Sequence, residues 1–212
     1  MIEVIDLGRR DYREAHALMA ERLSARIEGR VGDALLLTEH PAVYTVGRTR
    51  GAVAHLRETG DTPVIQVERG GDVTWHGPGQ VVGYPILLLP EWRRDLHAIL
   101  RGIEQLIIDV LADAGVDGQR DARNSGVWVE GRKVCAVGIA CRRWVTWHGF
   151  ALNVAPDLGD FRRIDPCGMS ADLVTRLADH LPDCPPADVW AARIAARAPG
   201  WWQDWRAVGA PA

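Results

Sequence analysis

GVWVEGRKVCAVGIACRRWVTWHGFALNV, residues Gly126 to Val154, reads as three strands in succession: Gly126 to Glu130, Lys133 to Arg142 and Trp144 to Val154. Valine, tryptophan and other strand-forming residues recur throughout, and the Gly131-Arg132 turn is too short for anything but a hairpin. A doubly wound parallel sheet needs a crossover between neighbouring strands, so this stretch decides against that class. Strict alternation along the middle strand would put Lys133, Cys135, Val137, Ile139 and Cys141 on one face, and Val134, Ala136, Gly138 and Ala140 on the other.

Working outward, Ile2 to Leu7 has strand periodicity. Asp11 and Glu14 have capping-box spacing and open a helix to about Glu28, closed by Gly29 and Gly32. Ala34 to Leu37, Ala42 to Val46 and Val64 to Val67 read as short strands. A glycine-rich loop is expected from Arg69 to Gln80, then a strand from Val81 to Leu89 whose Pro85 predicts an edge or a bulge. Asp95 caps the clearest helix, with Leu96, Ile99, Leu100, Ile103, Leu106, Ile107, Val110 and Leu111 at helical spacing and Gly115 as its stop. Ala155 to Met169 is irregular, Ser170 is expected to cap a helix over Ala171 to Asp179, and a last helix is expected over about Ala187 to Ala196. The tryptophans of Trp201 to Trp205 are expected to pack the end of the chain. The pattern predicts one domain over residues 1–212, of α/β (α+β) class: a mixed, largely hairpin-linked β-sheet flanked by helices.

Composition narrows the function. At 212 residues and 47% hydrophobic the chain supports one sizeable core, and a net charge of -3 with pI near 6.2 provides no basic field for nucleic acid. The start, MIEVIDLGRR, lacks the pattern of a secretory leader. The longest apolar run, Val81 to Pro90, is interrupted by Gly83, Tyr84 and Pro85 and is too short to span a bilayer. A cytoplasmic protein with no nucleic-acid or membrane partner is expected. Cys135, Cys141, Cys167 and Cys184 form no CxxC pair and have no zinc-like spacing with histidine, so neither a disulfide framework nor a metal site is expected.

Of the 25 Lys+Arg residues one alone is lysine, Lys133. Codon bias accounts for the scarcity but not for the position. A lysine amine starts near pKa ~10.4 and falls when desolvated, whereas arginine stays charged, so Lys133 alone among these cations can exchange a proton near neutrality. The densest local signal is Arg69-Gly70-Gly71-Asp72-Val73-Thr74-Trp75-His76-Gly77-Pro78-Gly79-Gln80. Its glycines permit close backbone approach to a ligand, and it is neither a Walker phosphate loop nor a GxGxxG turn. Cys167 lies on a Pro166-Cys167-Gly168 bend ahead of Ser170, where a helix amino terminus would favour thiolate. Cys135, Cys141 and Cys184 read as ordinary buried thiols. Lys133, His76 and His148 are the candidate partners for the thiol; His148 reads as cavity lining and possible auxiliary, His76 as the stronger polar contact. Arg142-Arg143, Arg162-Arg163, Arg120 and Arg123 are candidates for a positive rim facing an acidic partner.

Assembled, these residues resemble the lipoyl(octanoyl) transferase family. The resemblance spans nearly the whole chain and rests on Glu39-His40-Pro41, Tyr44 to Gly47, Arg69 to Gln80, Gly131-Arg132-Lys133, Gly138-Ile139, His148 to Asn153 and Pro166-Cys167-Gly168. Trp75 stands where Tyr or Phe is usual, and Phe150 where Leu is common. The resemblance implies the biotin/lipoate ligase fold, a Cys167 acyl thioester, and a Lys133 that activates the thiol or shuttles protons. It implies an acyl site formed by Arg69 to His76, Ala136-Val137-Gly138 and Gly149-Phe150-Ala151, and no cofactor. Octanoyl-acyl carrier protein is the implied donor. Lipoyl domains of 2-oxoacid dehydrogenase E2 subunits and the glycine cleavage H protein are the implied acceptors, with the enzyme a monomer. Two other readings stay open at this point: an ATP-dependent lipoate-protein ligase, which needs a nucleotide site but no cysteine, and a non-catalytic acyl- or carrier-binding module. A thiol hydrolase is disfavoured, since no Cys-His-Asn pattern is identifiable.

Overall fold

The computed structural model describes residues 1–165 and 168–211, and among them the strands form two sheets. In chain order the elements are β1 (Glu3–Arg9), α1 (Tyr12–Ile27), β2 (Ala34–Glu39), β3 (Val43–Val46), β4 (Val64–Gln66), β5 (Val73–His76) and β6 (Gln80–Ile86). There follow α2 (Leu96–Ala112), β7 (Gly126–Val129), β8 (Arg132–Arg142), β9 (Val145–Asn153) and α3 (Ala187–Ala207). The six-stranded sheet has the order β1-β2-β6-β9-β8-β7, and β4-β3-β5 form a small second sheet. β1 and β2 run parallel, joined by α1, and the remaining pairs of the large sheet are antiparallel.

Two tight turns build the hairpins at residues 126–154. Glu130 and Gly131 have φ of 50° and 74°, and Arg143 and Trp144 have 51° and 62°, so each two-residue connection is left-handed at both positions. That geometry matches the twist of antiparallel strands. β7, β8 and β9 thus form a meander as expected, with the turn at Glu130-Gly131 and Arg132 already in β8.

Both faces of the large sheet are covered. Leu35 and Leu37 of β2 join Ile99, Ile103 and Ile107 of α2 and Trp190, Ile194 and Trp202 of α3 in one cluster. Leu36 joins Ala15, Met19 and Leu23 of α1 in another. Burial on both faces explains why β2 is a continuous apolar run rather than an alternating one. The tryptophans pack the chain end as expected: Trp202 and Trp205 stack with centroids 5.3 Å apart, and Trp201 Nε1 donates to Gly102 O at 2.8 Å. Gly102 makes room for them, since a Cβ there would come within 2.6 Å of the Trp205 ring.

Asp33, 6% exposed, locks these layers together. Its carboxylate accepts from Arg26 Nε on α1 at 2.7 Å, Leu88 N at 2.9 Å and Trp202 Nε1 on α3 at 2.9 Å. Removing one partner of such a buried set strands the others without solvent. Asp33→Ala is therefore expected to cost about 3 kcal/mol of unfolding free energy, measured by urea denaturation. A loss within the usual ~0.5 kcal/mol of a neutral surface change would contradict this.

Five local expectations are corrected. Residues 69–80 are not one loop: Val73–His76 pairs with Val43–Val46 as β5, and Gln80 opens β6. β6 is an interior strand despite Pro85. Its ladder to β9 ends at Gly83, so Pro85 removes no donor from it, and the Thr146 hydroxyl donates to Pro85 O at 2.7 Å. Ala171 to Asp179 is not a helix but two short 3-10 turns, Ala171–Leu173 and Leu177–Asp179. Between them Val174 bridges to Lys133, and Thr175 N donates to Lys133 O at 2.9 Å, which holds this β-branched pair extended against β8. The last helix does not stop at Ala196 but runs through Pro199 to Ala207, because Trp202 and Trp205 anchor its second half in the core. Finally, β8 does not alternate strictly. Val127 faces Cys135 while Trp128 faces Lys133, so Val134 is an extra residue. This bulge resets the pleat: Lys133 shares the cavity with Ala136 and Gly138, while Cys135 enters the core.

Candidate active site

A cleft with about 860 Å³ of empty space, its open mouth included, lies where residues 69–72 cross β8 and β9. The crossing depends on missing side chains. Gly70 N donates to Ile139 O at 2.9 Å, a Cβ on Gly138 would sit 3.1 Å from Gly70 O, and one on Gly47 would sit 2.3 Å from Gly71 O. Arg69 fixes the segment from the other side, its Nη2 donating to Thr45 O at 2.9 Å and Thr45 Oγ1 at 3.0 Å. Size and lining suit a small, largely apolar ligand.

Fifteen residues expected at the site line this cleft: Arg69, Gly70, Gly71, Asp72, Val73, Thr74, His76, Lys133, Ala136, Val137, Gly138, His148, Gly149, Phe150 and Ala151. Trp75 is the exception. It points the other way along β5 and packs against Phe161, centroids 5.4 Å apart, in the core under the small sheet. Cys167, with Pro166, lies outside the described residues. Met169 lines the cleft, and Asn124 Nδ2 lies 3.3 Å from its sulfur.

Lys133 is 7% exposed. Its ammonium donates to Asn124 Oδ1 and, at 2.9 Å, to Ser125 O, and lies 5.1 Å from the Trp128 ring centroid. The strand bulge aims it and residues 124–125 hold it. Glu104 of α2 secures that approach to β7, accepting from Gly126 N at 2.8 Å and Arg120 Nε at 3.1 Å. Arg120 is thereby committed to Glu104, and Arg123 to Asp121 at 2.7 Å. Asn124, Ser125 and Glu104 were not among the expected site residues. The turn-like Asn124-Ser125-Gly126 run ahead of β7 marked Asn124 and Ser125 in the sequence, but not Glu104.

Asp72 has a second partner that spacing did not reveal. Its Oδ2 accepts from His55 Nδ1 at 2.6 Å, while its Oδ1 accepts from Val73 N at 2.7 Å. With Nδ1 committed to Asp72, His55 Nε2 is the ring nitrogen left to face another group, and a Cβ on Gly168 would lie 3.9 Å from it. The Gly70 and Val73 amides are already occupied and provide no oxyanion donors.

His76 is buried at the cleft lining, and His40 is buried behind it, ring centroids 6.0 Å apart. His40 Nδ1 donates to Arg10 O at 2.7 Å and its Nε2 accepts from Tyr84 OH at 2.7 Å. His76 lies between Thr45 Oγ1 at 3.4 Å and Gln80 Oε1 at 3.3 Å. Desolvation lowers both imidazole pKa values, His76 strongly, with help from the neighbouring His40, Arg69 and His148; Asp11 and Glu39 oppose the shift at His40. The unfolded chain then binds more protons than the folded one below pH ~6.5, so this contribution is complete above that pH and is lost as pH falls from there toward the folded values. Tm is expected to fall on acidification below pH ~6.5, by ~2–4 °C per kcal/mol lost in a chain of this size. His76→Gln should flatten the dependence, and an unchanged slope would contradict the assignment.

An α+β domain with a glycine crossing over a mixed sheet, a buried lysine at the cleft and a largely apolar lining defines a class that binds a small, largely apolar ligand beside a buried amine. The family model described as lipoyl protein ligase A/B catalytic domain matches residues 11–197. The octanoyltransferase of Geobacter sulfurreducens is 51% identical over 178 residues, 84% of this chain and 74% of that one. The octanoyltransferase of Gloeobacter violaceus is 54% identical over 153 residues, 72% of this chain and 68% of that one. A solved structure of a bipartite lipoate protein ligase from Thermoplasma acidophilum superposes with a TM-score of 0.75 at 13% identity, over 96% of this chain and 84% of that one, and shares the fold. The chain belongs to the octanoyltransferases of the lipoyl protein ligase A/B catalytic family. It is an acyltransferase that moves an octanoyl group in lipoate biosynthesis. No helix among the described residues is long and apolar enough to cross a membrane.

Proposed function

We propose that the octanoyl group is taken from acyl carrier protein onto Cys167 as a thioester and passed to a lysine of a lipoyl domain, on 2-oxoacid dehydrogenase E2 subunits and the glycine cleavage H protein. The enzyme acts as a cytoplasmic monomer. The observation that carries the reading is the union in one cleft of buried Lys133 with an apolar wall, Val82, Val137, Phe150 and Ala151, fit for an eight-carbon chain.

In the first step the Cys167 thiolate attacks the carrier thioester carbonyl, the C–S bond to the carrier breaks, and the departing carrier thiolate takes up a proton. In the second, the lipoyl-domain amine attacks the Cys167 thioester, loses a proton, and Cys167 departs as the thiol. Thioester exchange is nearly isoenergetic and amide formation runs downhill, so no ATP is consumed. Lys133 as ammonium favours the thiolate, and as amine accepts the proton of the attacking lysine. The Asp72–His55 pair offers a second proton acceptor on the Gly168 side of the cleft.

The test is to mix the purified chain with octanoyl-acyl carrier protein and an unmodified lipoyl domain in the absence of ATP. An octanoyl amide on the lipoyl-domain lysine is expected. A product that forms only with free octanoate and ATP would replace this reading with the ligase one.

A further inference from the structure

We propose that His16 Nε2, Glu68 Oε2 and His148 Nε2 form a binding site for a divalent transition-metal cation, with Zn²⁺ the best match to the ligand set. The three groups come from α1, the segment after β4, and β9. Their ligand atoms all lie within 4.8 Å of one another. His16 Nε2 is 3.0 Å and His148 Nε2 3.5 Å from Glu68 Oε2. A tetrahedral centre with metal–ligand bonds of ~2.0–2.1 Å sets its ligand atoms ~3.3 Å apart, so these side chains need only small rotations to share an ion. Two imidazoles and one carboxylate, with a fourth position left for water, suit zinc and its first-row neighbours rather than calcium or magnesium.

A second observation points to a ligand. The His148 side chain is 2% exposed, and its Nε2 makes no well-aligned hydrogen bond among the described residues, with the Glu68 carboxylate 3.5 Å away. A buried ring nitrogen left this way costs free energy unless something binds it. The backbone of His148 has φ of 55° in mid-strand, a conformation that non-glycine residues seldom adopt without a local reason. Trp147 packs on both rings, with centroids 4.4 Å from His148 and 5.6 Å from His16. Glu68 is half-exposed, which gives an ion a route in from solvent. Arg69 is the opposing charge nearby, with its guanidinium directed to Thr45.

Because Glu68 directly precedes the glycine crossing, a bound cation would tie residues 69–72 to α1 and β9. This inference does not depend on the acyl-transfer reading. Sequence spacing could not show the site, since His16 and Glu68 lie 52 positions apart.

The test uses the full chain, stripped with a chelator and checked for folding by circular dichroism. Zn²⁺ is titrated by calorimetry, and Co²⁺ is followed by its visible absorption. One equivalent of Zn²⁺ is expected, with a raised Tm and a Co²⁺ spectrum lacking thiolate charge transfer. His16→Ala and Glu68→Gln, both at solvent-accessible positions, should each weaken binding at least ~10-fold and remove the thermal shift. Absence of stoichiometric binding, binding that survives both substitutions, or thiolate bands that put the ion on cysteine would overturn the proposal.

Discussion

Lys133→Arg is expected to lower octanoyl transfer by ~10²–10⁴-fold with the fold intact, the range typical of losing a positioned acid–base group. Arginine keeps the positive charge but does not give up its proton, so the substitution separates the two jobs assigned to Lys133. If the ammonium only favoured a thiolate, turnover with arginine would stay near normal. The position is exacting: Lys133 reaches Asn124 Oδ1 and Ser125 O from a strand bulge, and the larger guanidinium does not reproduce both contacts with a compact head. Lys133→Met removes charge and proton transfer together and sets the floor. His55→Gln is the companion variant. It removes the second proton acceptor while leaving Lys133 in place, so a loss smaller than that of Lys133→Arg is expected. Steady-state rates with octanoyl-acyl carrier protein across a pH series provide the comparison, and a pH profile unchanged in Lys133→Arg would contradict the base role.

Cys167→Ser is expected to abolish detectable turnover, a loss beyond ~10³-fold, because a serine hydroxyl yields far less anion at neutral pH than a thiol. The effect should fall on both half-reactions, since the proposed intermediate cannot form. The other thiols make poor substitutes. Cys135 is buried in the core and desolvation raises its pKa, and burial raises those of Cys141 and Cys184 as well. Turnover in Cys167→Ser within tenfold of the parent chain, or ~1.4 kcal/mol of barrier, would sink the covalent route.

Much of this was legible in the sequence because it is local. Two-residue turns, a capped amphipathic helix over Leu96–Ala112 and glycine-marked crossings declare themselves over a few residues. Of the cavity-lining segments, the glycine-rich residues 69–76 were legible locally, while residues 136–138 and 149–151 followed from the family resemblance. What escaped depends on long-range packing. Trp75 sits within the right segment, but the β3–β5 pairing turns it toward Phe161. Strict alternation misassigned Lys133 and Cys135 to one face because a bulge leaves no mark in the hydrophobic pattern. Pro85 pointed to an edge or a bulge, yet β6 lies between β2 and β9, and the β6–β9 ladder stops two residues before the proline. His55 with Asp72, Glu104 with Gly126, and the His16–Glu68–His148 cluster are pairings across distant segments that spacing does not encode.

The most direct test of the covalent route is the intact mass of the purified chain after incubation with octanoyl-acyl carrier protein alone. The account predicts one octanoyl adduct per chain, released by hydroxylamine, discharged on adding a lipoyl domain, and absent from Cys167→Ser. An unmodified chain that still octanoylates the lipoyl domain, or an adduct that persists in Cys167→Ser, would contradict it.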